Sequence, residues 1–112
     1  LTSDNSAAST TNQIILPDNS CYMIRGLTAC IRTNAAGDRA TYEWSCAVYR
    51  GANAGTTVID YQNIDVRYES DASFAITLSA DTTNGGLTIS FTGASGKNVK
   101  VVTTALCCEV VT

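Results

Sequence analysis

The 112-residue chain has no histidine and a single proline, and only 15% of its residues carry charge. Each shortage removes a class of function. Histidine is the usual general base near neutral pH and the commonest metal ligand, so its absence leaves Ser, Thr and Cys without an imidazole to activate them. No G-x-S-x-G elbow is present, and no glycine-rich loop opens a helix where phosphate could be cradled. Seven Lys and Arg stand against ten Asp and Glu, for a net charge of -3, with no basic cluster. That balance argues against nucleic acid, which needs concentrated positive charge, and against attraction to an anionic membrane. No apolar run approaches the roughly 18 residues of a membrane-spanning helix. Leu1 stands where an initiator Met would, with no signal segment before it, which points to a processed chain or a piece of a longer one.

Cysteine is present in an odd number: Cys21, Cys30, Cys46, Cys107 and Cys108 cannot all pair within one chain. None has C-x-x-C spacing. Cys107 and Cys108 are neighbours, and neighbours on a strand point to opposite faces, so they cannot grip one ion together. The expectation is five thiols, mostly free and buried as small hydrophobes, with neither metal nor cofactor.

What is abundant is strand pattern. Residues 1–12 are small and polar without periodicity, and read as a flexible arm or linker before a single domain over residues 13–112. A short apolar strand over 13–16 ends at the Pro17-Asp18-Asn19-Ser20 turn. Residues 21–33 (CYMIRGLTACIRT) form a strand in which Gly26 marks a bulge or a close approach. A turn at 34–38 leads into 40–50, where Tyr42, Trp44, Cys46 and Val48 alternate with Thr41, Glu43, Ser45 and Ala47; Trp44 is the core anchor. Residues 57–68 have strand composition but a broken period, as in one bent strand or two short ones. Phe74, Ile76, Leu78, Leu87, Ile89 and Phe91 line one face of a hairpin turned by DTTNGG. The last run, 99–111 (VKVVTTALCCEVV), is apolar on both faces at its end. It is either central in a sheet or covered by another subunit. About seven or eight strands with turns every 8–12 residues predict an all-β antiparallel sandwich, jelly-roll-like.

Few side chains suggest chemistry. Asp65, Glu69 and Asp71 lie close in sequence, as paired carboxylates of a glycosidase would, but a solvated strand end explains them more simply. Asp81 and Asn84 offer too few oxygens for calcium. Of the aromatics, Tyr49, Tyr61 and Tyr68 fall on faces that could stay exposed, and are the candidates for a ligand or receptor surface.

The strings ILPDNSCYMIRGLTACIRTNAAGDRATYEWSCAVYRG and ADTTNGGLTISFTGASGKNVKVVTTALCCEVV resemble a β-domain that recurs in bacteriophage and prophage virion proteins. The likeness lies in the LPDNS turn, the A/G-rich hairpin, the Trp-bearing strand ending in RG, the A-D-T-T-N-G-G-L turn and the closing T-G-x-x-G-K. It implies a non-enzymatic structural domain of the virion, assembled in the host cytoplasm. The expected form is a homotrimeric distal domain of a tail fibre or spike, contacting other virion proteins and presenting the loops at 51–55 and 93–98 to a host surface glycan or receptor. The final strand then supplies the subunit interface, through Leu106, Cys108 and Val110. Two other readings stay open. One is a capsid decoration protein lashed down by its polar arm. The other is a carbohydrate-binding module of a secreted enzyme, which predicts disulfides.

Overall fold

The computed structural model of the chain describes residue 7 and residues 9–112. The arm expected over residues 1–12 therefore lies mostly outside the described residues. Its last part is a set of bends in which Ser9 N donates to Asn12 Oδ1 and Asn12 Nδ2 donates to the Ala7 carbonyl.

Seven strands are found among the described residues: β1 Ile14–Ile15, β2 Ser20–Arg32, β3 Arg39–Arg50, β4 Val58–Glu69, β5 Ala75–Asp81, β6 Gly86–Thr92 and β7 Val99–Val111. They form two antiparallel sheets, one ordered β1-β6-β5 and the other β4-β3-β2-β7. The second is a meander of β2, β3 and β4 to which β7 returns beside β2, in the manner of a Greek key. Packed face to face, the sheets make the expected all-β sandwich.

Alternation decides what the sandwich encloses. Along β2 and β3, buried and more exposed residues alternate almost without a break. Tyr22, Ile24, Tyr42, Trp44, Cys46 and Val48 meet Phe74, Ile76, Leu78 and Leu87 from the smaller sheet. Phe74 and Phe91 pack edge to face at 5.5 Å between centroids, a geometry that suits their ring quadrupoles. The hairpin is in the expected register, with Ile76 opposite Phe91 and Leu78 opposite Ile89.

The broken period of β4 has a simple cause. Its pairing with β3 skips one residue between the partners of Ala47 and Val48, and another between those of Thr41 and Tyr42. Asp60 and Arg67 are the extra residues, so β4 is one strand carrying two bulges.

One of the two alternatives for the last strand is removed, and the expectation of buried cysteines needs correcting. The last strand is not central: β7 pairs with β2 alone and forms an edge of the large sheet. The cysteines are all free, but only Cys30 and Cys46 are buried, while Cys21, Cys107 and Cys108 are exposed. All three sit toward one end of the β2–β7 pair: Cys21 and Cys108 are on the outer face of the sheet, and Cys107 points inward on the edge strand, beyond the cover of the smaller sheet.

At one end of the sandwich an ion cluster ties three turns together. Lys97 Nζ lies 2.9 Å from Asp38 and 2.6 Å from Asp71, and Arg32 closes on Asp38 at 3.2 Å. Asn34 adds hydrogen bonds to Gly96 O and from Asn98 N.

Candidate functional site

The carboxylates do not converge. Asp65 lies on the outer face of β4, accepting a hydrogen bond from Asn63 Nδ2. Glu69 faces the sandwich and accepts from the buried Tyr42 hydroxyl at 3.0 Å, while Asp71 belongs to the Lys97 cluster. Burial and Glu69 together push the Tyr42 hydroxyl well above the ordinary phenol range. Asp81 organises its own turn: it accepts from Gln13 Nε2 and Asn84 Nδ2 and from the backbone of Thr83 and Asn84. Those bonds, led by Asn84, hold its carboxyl far below the usual range and leave its oxygens already engaged. An open depression of about 430 Å³ beside this turn is lined by Ser79, Thr82, Thr83 and Thr88 among others. No cluster of three His, Cys, Asp or Glu side chains able to hold a metal is found among the described residues.

The large sheet's outer face is the feature that stands out. The residues alternating with the core on β2 are Cys21, Met23, Arg25, Leu27, Ala29 and Ile31, all exposed. Their partners on β7 are Val110, Cys108, Leu106, Thr104, Val102 and Lys100. On the other side lie Tyr49, Ala47, Ser45, Glu43 and Thr41 of β3, then Val58, Tyr61, Asn63, Asp65 and Tyr68 of β4. Leu106 is 75% exposed, Val110 65%, Leu27 58% and Val102 57%, values at which a large aliphatic side chain keeps most of its surface in water. Single exposed apolar residues are ordinary; a contiguous band on one sheet face is a mark of an interaction site.

All the site residues expected from sequence lie on this one face. Tyr49, Tyr61 and Tyr68 occupy its β3–β4 half, and Leu106, Cys108 and Val110 its β7 edge. The structure thus merges two surfaces that sequence reading kept apart. Tyr49 and Tyr61 are diagonal neighbours at one end. Tyr68 is at the other end, under the Arg39 guanidinium at 4.8 Å. The loops at 51–55 and 93–98 also separate, the first following the end of β3 and the second bonded to Thr33 and Asn34 at the opposite end.

Sequence reading missed the β2 contribution. Cys21, Met23, Leu27, Ala29 and Ile31 alternate with Tyr22, Ile24, Thr28 and Cys30, so this strand too is largely apolar on both faces, a signal visible in CYMIRGLTACIRT. The apolar character also wraps around the β7 edge. Ala105, Cys107 and Val111 point inward yet are exposed, because β7 runs past the smaller sheet. Glu109 on this overhang accepts from the Tyr22 hydroxyl, which together with burial pushes that phenol up to about 12.

The charges on the face are few and unevenly placed. Glu43 and Asp65 are direct cross-strand partners, a like-charged pair that repels. Arg67, brought round by its bulge, closes on Glu43 at 3.1 Å, which raises the guanidinium's already high pKa. Arg25, near the centre of the face with Glu43 on the diagonal across β2–β3, and Arg39 and Lys100 at one end have no ion pair among the described residues, so the face carries a positive excess.

The chain matches no family model, no curated protein and no solved structure.

Proposed function

We propose that the chain is a non-enzymatic structural domain of a bacteriophage virion, the homotrimeric distal domain of a tail fibre or spike. The observation that carries this reading is the broad apolar outer face of the large sheet. A domain that functions alone in water has little reason to expose it, and one that assembles has every reason to. The resemblance of residues 14–111 to a recurring virion β-domain supplies the setting. The loops at 51–55 and 93–98, which lie at the two ends of the sandwich, stay clear of that face and can meet a host glycan or receptor. Five free cysteines weigh against a secreted carbohydrate-binding module, which would be expected to carry disulfides.

The test is to raise antibodies to the domain and label purified particles of the phage or prophage that encodes it. Labelling at the tail tip is the expected result. Labelling over the head would replace this reading with the decoration protein, and absence from particles would remove both.

A further inference from the structure

We propose that the open edge of β7 pairs antiparallel with the β7 edge of a second copy, across a two-fold axis through Ala105, joining the two large sheets into one. The contact is made by backbone along one edge, so it depends neither on the virion reading nor on what covers the outer face.

Backbone direction is the first argument. Thr112 N donates to Asn19 O at 3.1 Å, and Asn98 O accepts from Thr33 N at 2.7 Å. Between those two bonds the pairing of β7 with β2 runs without a shift. The even-numbered residues of β7 therefore turn their N–H and C=O toward β2, and the odd-numbered ones from Val99 to Val111 turn theirs outward. Among the described residues β2 is the only strand bonded to β7. Such an edge is a template for a further strand, and proteins guard it with bulges, proline or charge. The opposite edge of this sheet is guarded: β4 has two bulges and carries Asp60, Asp65 and Arg67. β7 has 13 residues with no bulge and no proline, and no charge between Lys100 and Glu109.

Register is the second, and it selects the occupant. Laid antiparallel on itself about Ala105, β7 matches end to end: Val99 meets Val111, Lys100 meets Val110, Val101 meets Glu109, and every outward N–H and C=O finds a partner. No like charges face each other, and the smallest side chain of the strand lies on the axis. Glu109, the one charge on the inner side, already accepts from the Tyr22 hydroxyl. The inner faces fit as well. Val99 and Val101 pack on their own core, while Ala105, Cys107 and Val111 overhang the smaller sheet. Each overhang thus lies beside the covered half of the other copy, and the two smaller sheets stand at opposite ends. A second β7 meets the length, polarity and charge placement of this edge at once, which an arbitrary strand does not. The strand is roughly 44 Å long and a sheet is about 10 Å deep, so each copy contributes about 440 Å². That is near the lower limit for a specific contact, and a dimer that dissociates on dilution is expected.

The experiment is light scattering coupled to size exclusion on the full chain, across a concentration series, for wild type, Ala105→Pro and Cys107→Lys. Proline at 105 removes an N–H that β2 does not use, so the chain's own sheet is kept while the added strand is blocked. C107K leaves the backbone intact and sets an inward-pointing charge on the edge. Both positions are exposed, and circular dichroism checks that the β fold is kept. The wild type is expected to form a dimer, or an assembly with an even number of copies, and each variant should weaken it at least about tenfold. Cross-linking tests the register. Ala105→Cys in a C21S/C107S/C108S background should form a disulfide between copies under mild oxidation. Cys107 alone, in C21S/C108S, should not, because its counterpart is Thr103 and its own copy lies about 14 Å away. A wild type that stays monomeric throughout overturns the proposal. So does an oligomer indifferent to both variants, or one in which A105C fails to cross-link. A trimer unchanged by A105P overturns this edge while the three-fold reading stands. A dimer lost in A105P but absent from particles does the reverse.

Discussion

The indole of Trp44 lies against the backbone of Gly26, its partner across the β2–β3 pair, in the space a side chain would fill. A Cβ built on Gly26 would overlap Trp44 Cε2 and Cζ2. Pairing runs unbroken through Gly26, so this glycine marks a close approach and not a bulge. Gly26→Ala must therefore displace the ring or spread the strands. Overpacking of this kind costs typically 1–3 kcal/mol, and about 3 or more is expected where the clash is with a fully enclosed indole. The denaturant midpoint measures it, and a red shift of the Trp44 emission should accompany the loss. An unchanged midpoint would show that the ring is free to move.

Trp44 also has a polar tether. Its Nε1 donates to Thr28 Oγ1 at 3.1 Å, and that hydroxyl is 2.9 Å from Thr103 Oγ1 on β7. This chain fixes the edge strand to the core through three side chains. Thr28→Val keeps the volume and removes the acceptor, leaving a buried donor unsatisfied at about 1–3 kcal/mol. Faster hydrogen exchange along β7 than in the rest of the sheet is the expected signature. A uniform change would assign the loss to general packing.

Acid should act first at the ion cluster. Lys97 is the main cause of the lowered carboxyl pKa at both Asp38 and Asp71, with help from Arg32 at the first and the Ser73 amide at the second. A carboxylate depressed in the folded state contributes stability above its unfolded pKa, near 3.9 by the usual reference of about that value. That contribution disappears as pH falls through the lower folded value. Lys97→Met should thus lower the melting temperature at neutral pH, and the gap to wild type should narrow as the medium becomes more acid. A gap that does not change with pH would instead point to lost contact between Lys97 and the Phe74 ring, 5.8 Å from the ammonium.

The core was legible in the sequence because β3 and the β5–β6 hairpin have one wet face and one dry one. Tyr42, Trp44, Cys46 and Val48 announce their burial by alternation alone, as do Phe74, Ile76 and Leu78. The interaction face was legible only in pieces. Apolar residues on both sides of a strand look the same whether the second side meets another sheet or another molecule, so β7 reads as either central or covered by another subunit until its single neighbour is known. The bulges at Asp60 and Arg67 erase the period of β4, which hid the fact that Asp65 stands opposite Glu43. That Arg25, Arg39 and Lys100 share this face gave no signal either, because neighbours across strands are fixed by register rather than spacing.

Thiol reactivity reads the fold and the assembly in one measurement. Cys30 and Cys46 are sealed in the sandwich, and burial pushes the Cys46 thiol up to about 11, so thiolate is scarce there at neutral pH. Neither should react with an aromatic disulfide reagent until the chain unfolds. Cys21, Cys107 and Cys108 are exposed, and in a Leu106→Glu variant, which places a charge on the most exposed apolar side chain of the face, all three should react rapidly, Cys107 slowest because partial burial and Glu109 raise its pKa. Cys21 and Cys108 lie on the outer face, whereas Cys107 points to the other side of β7. In assembled wild type the first two should be protected and Cys107 should remain open. Equal reactivity of the three thiols in wild type and variant would mean that the outer face is uncovered in solution.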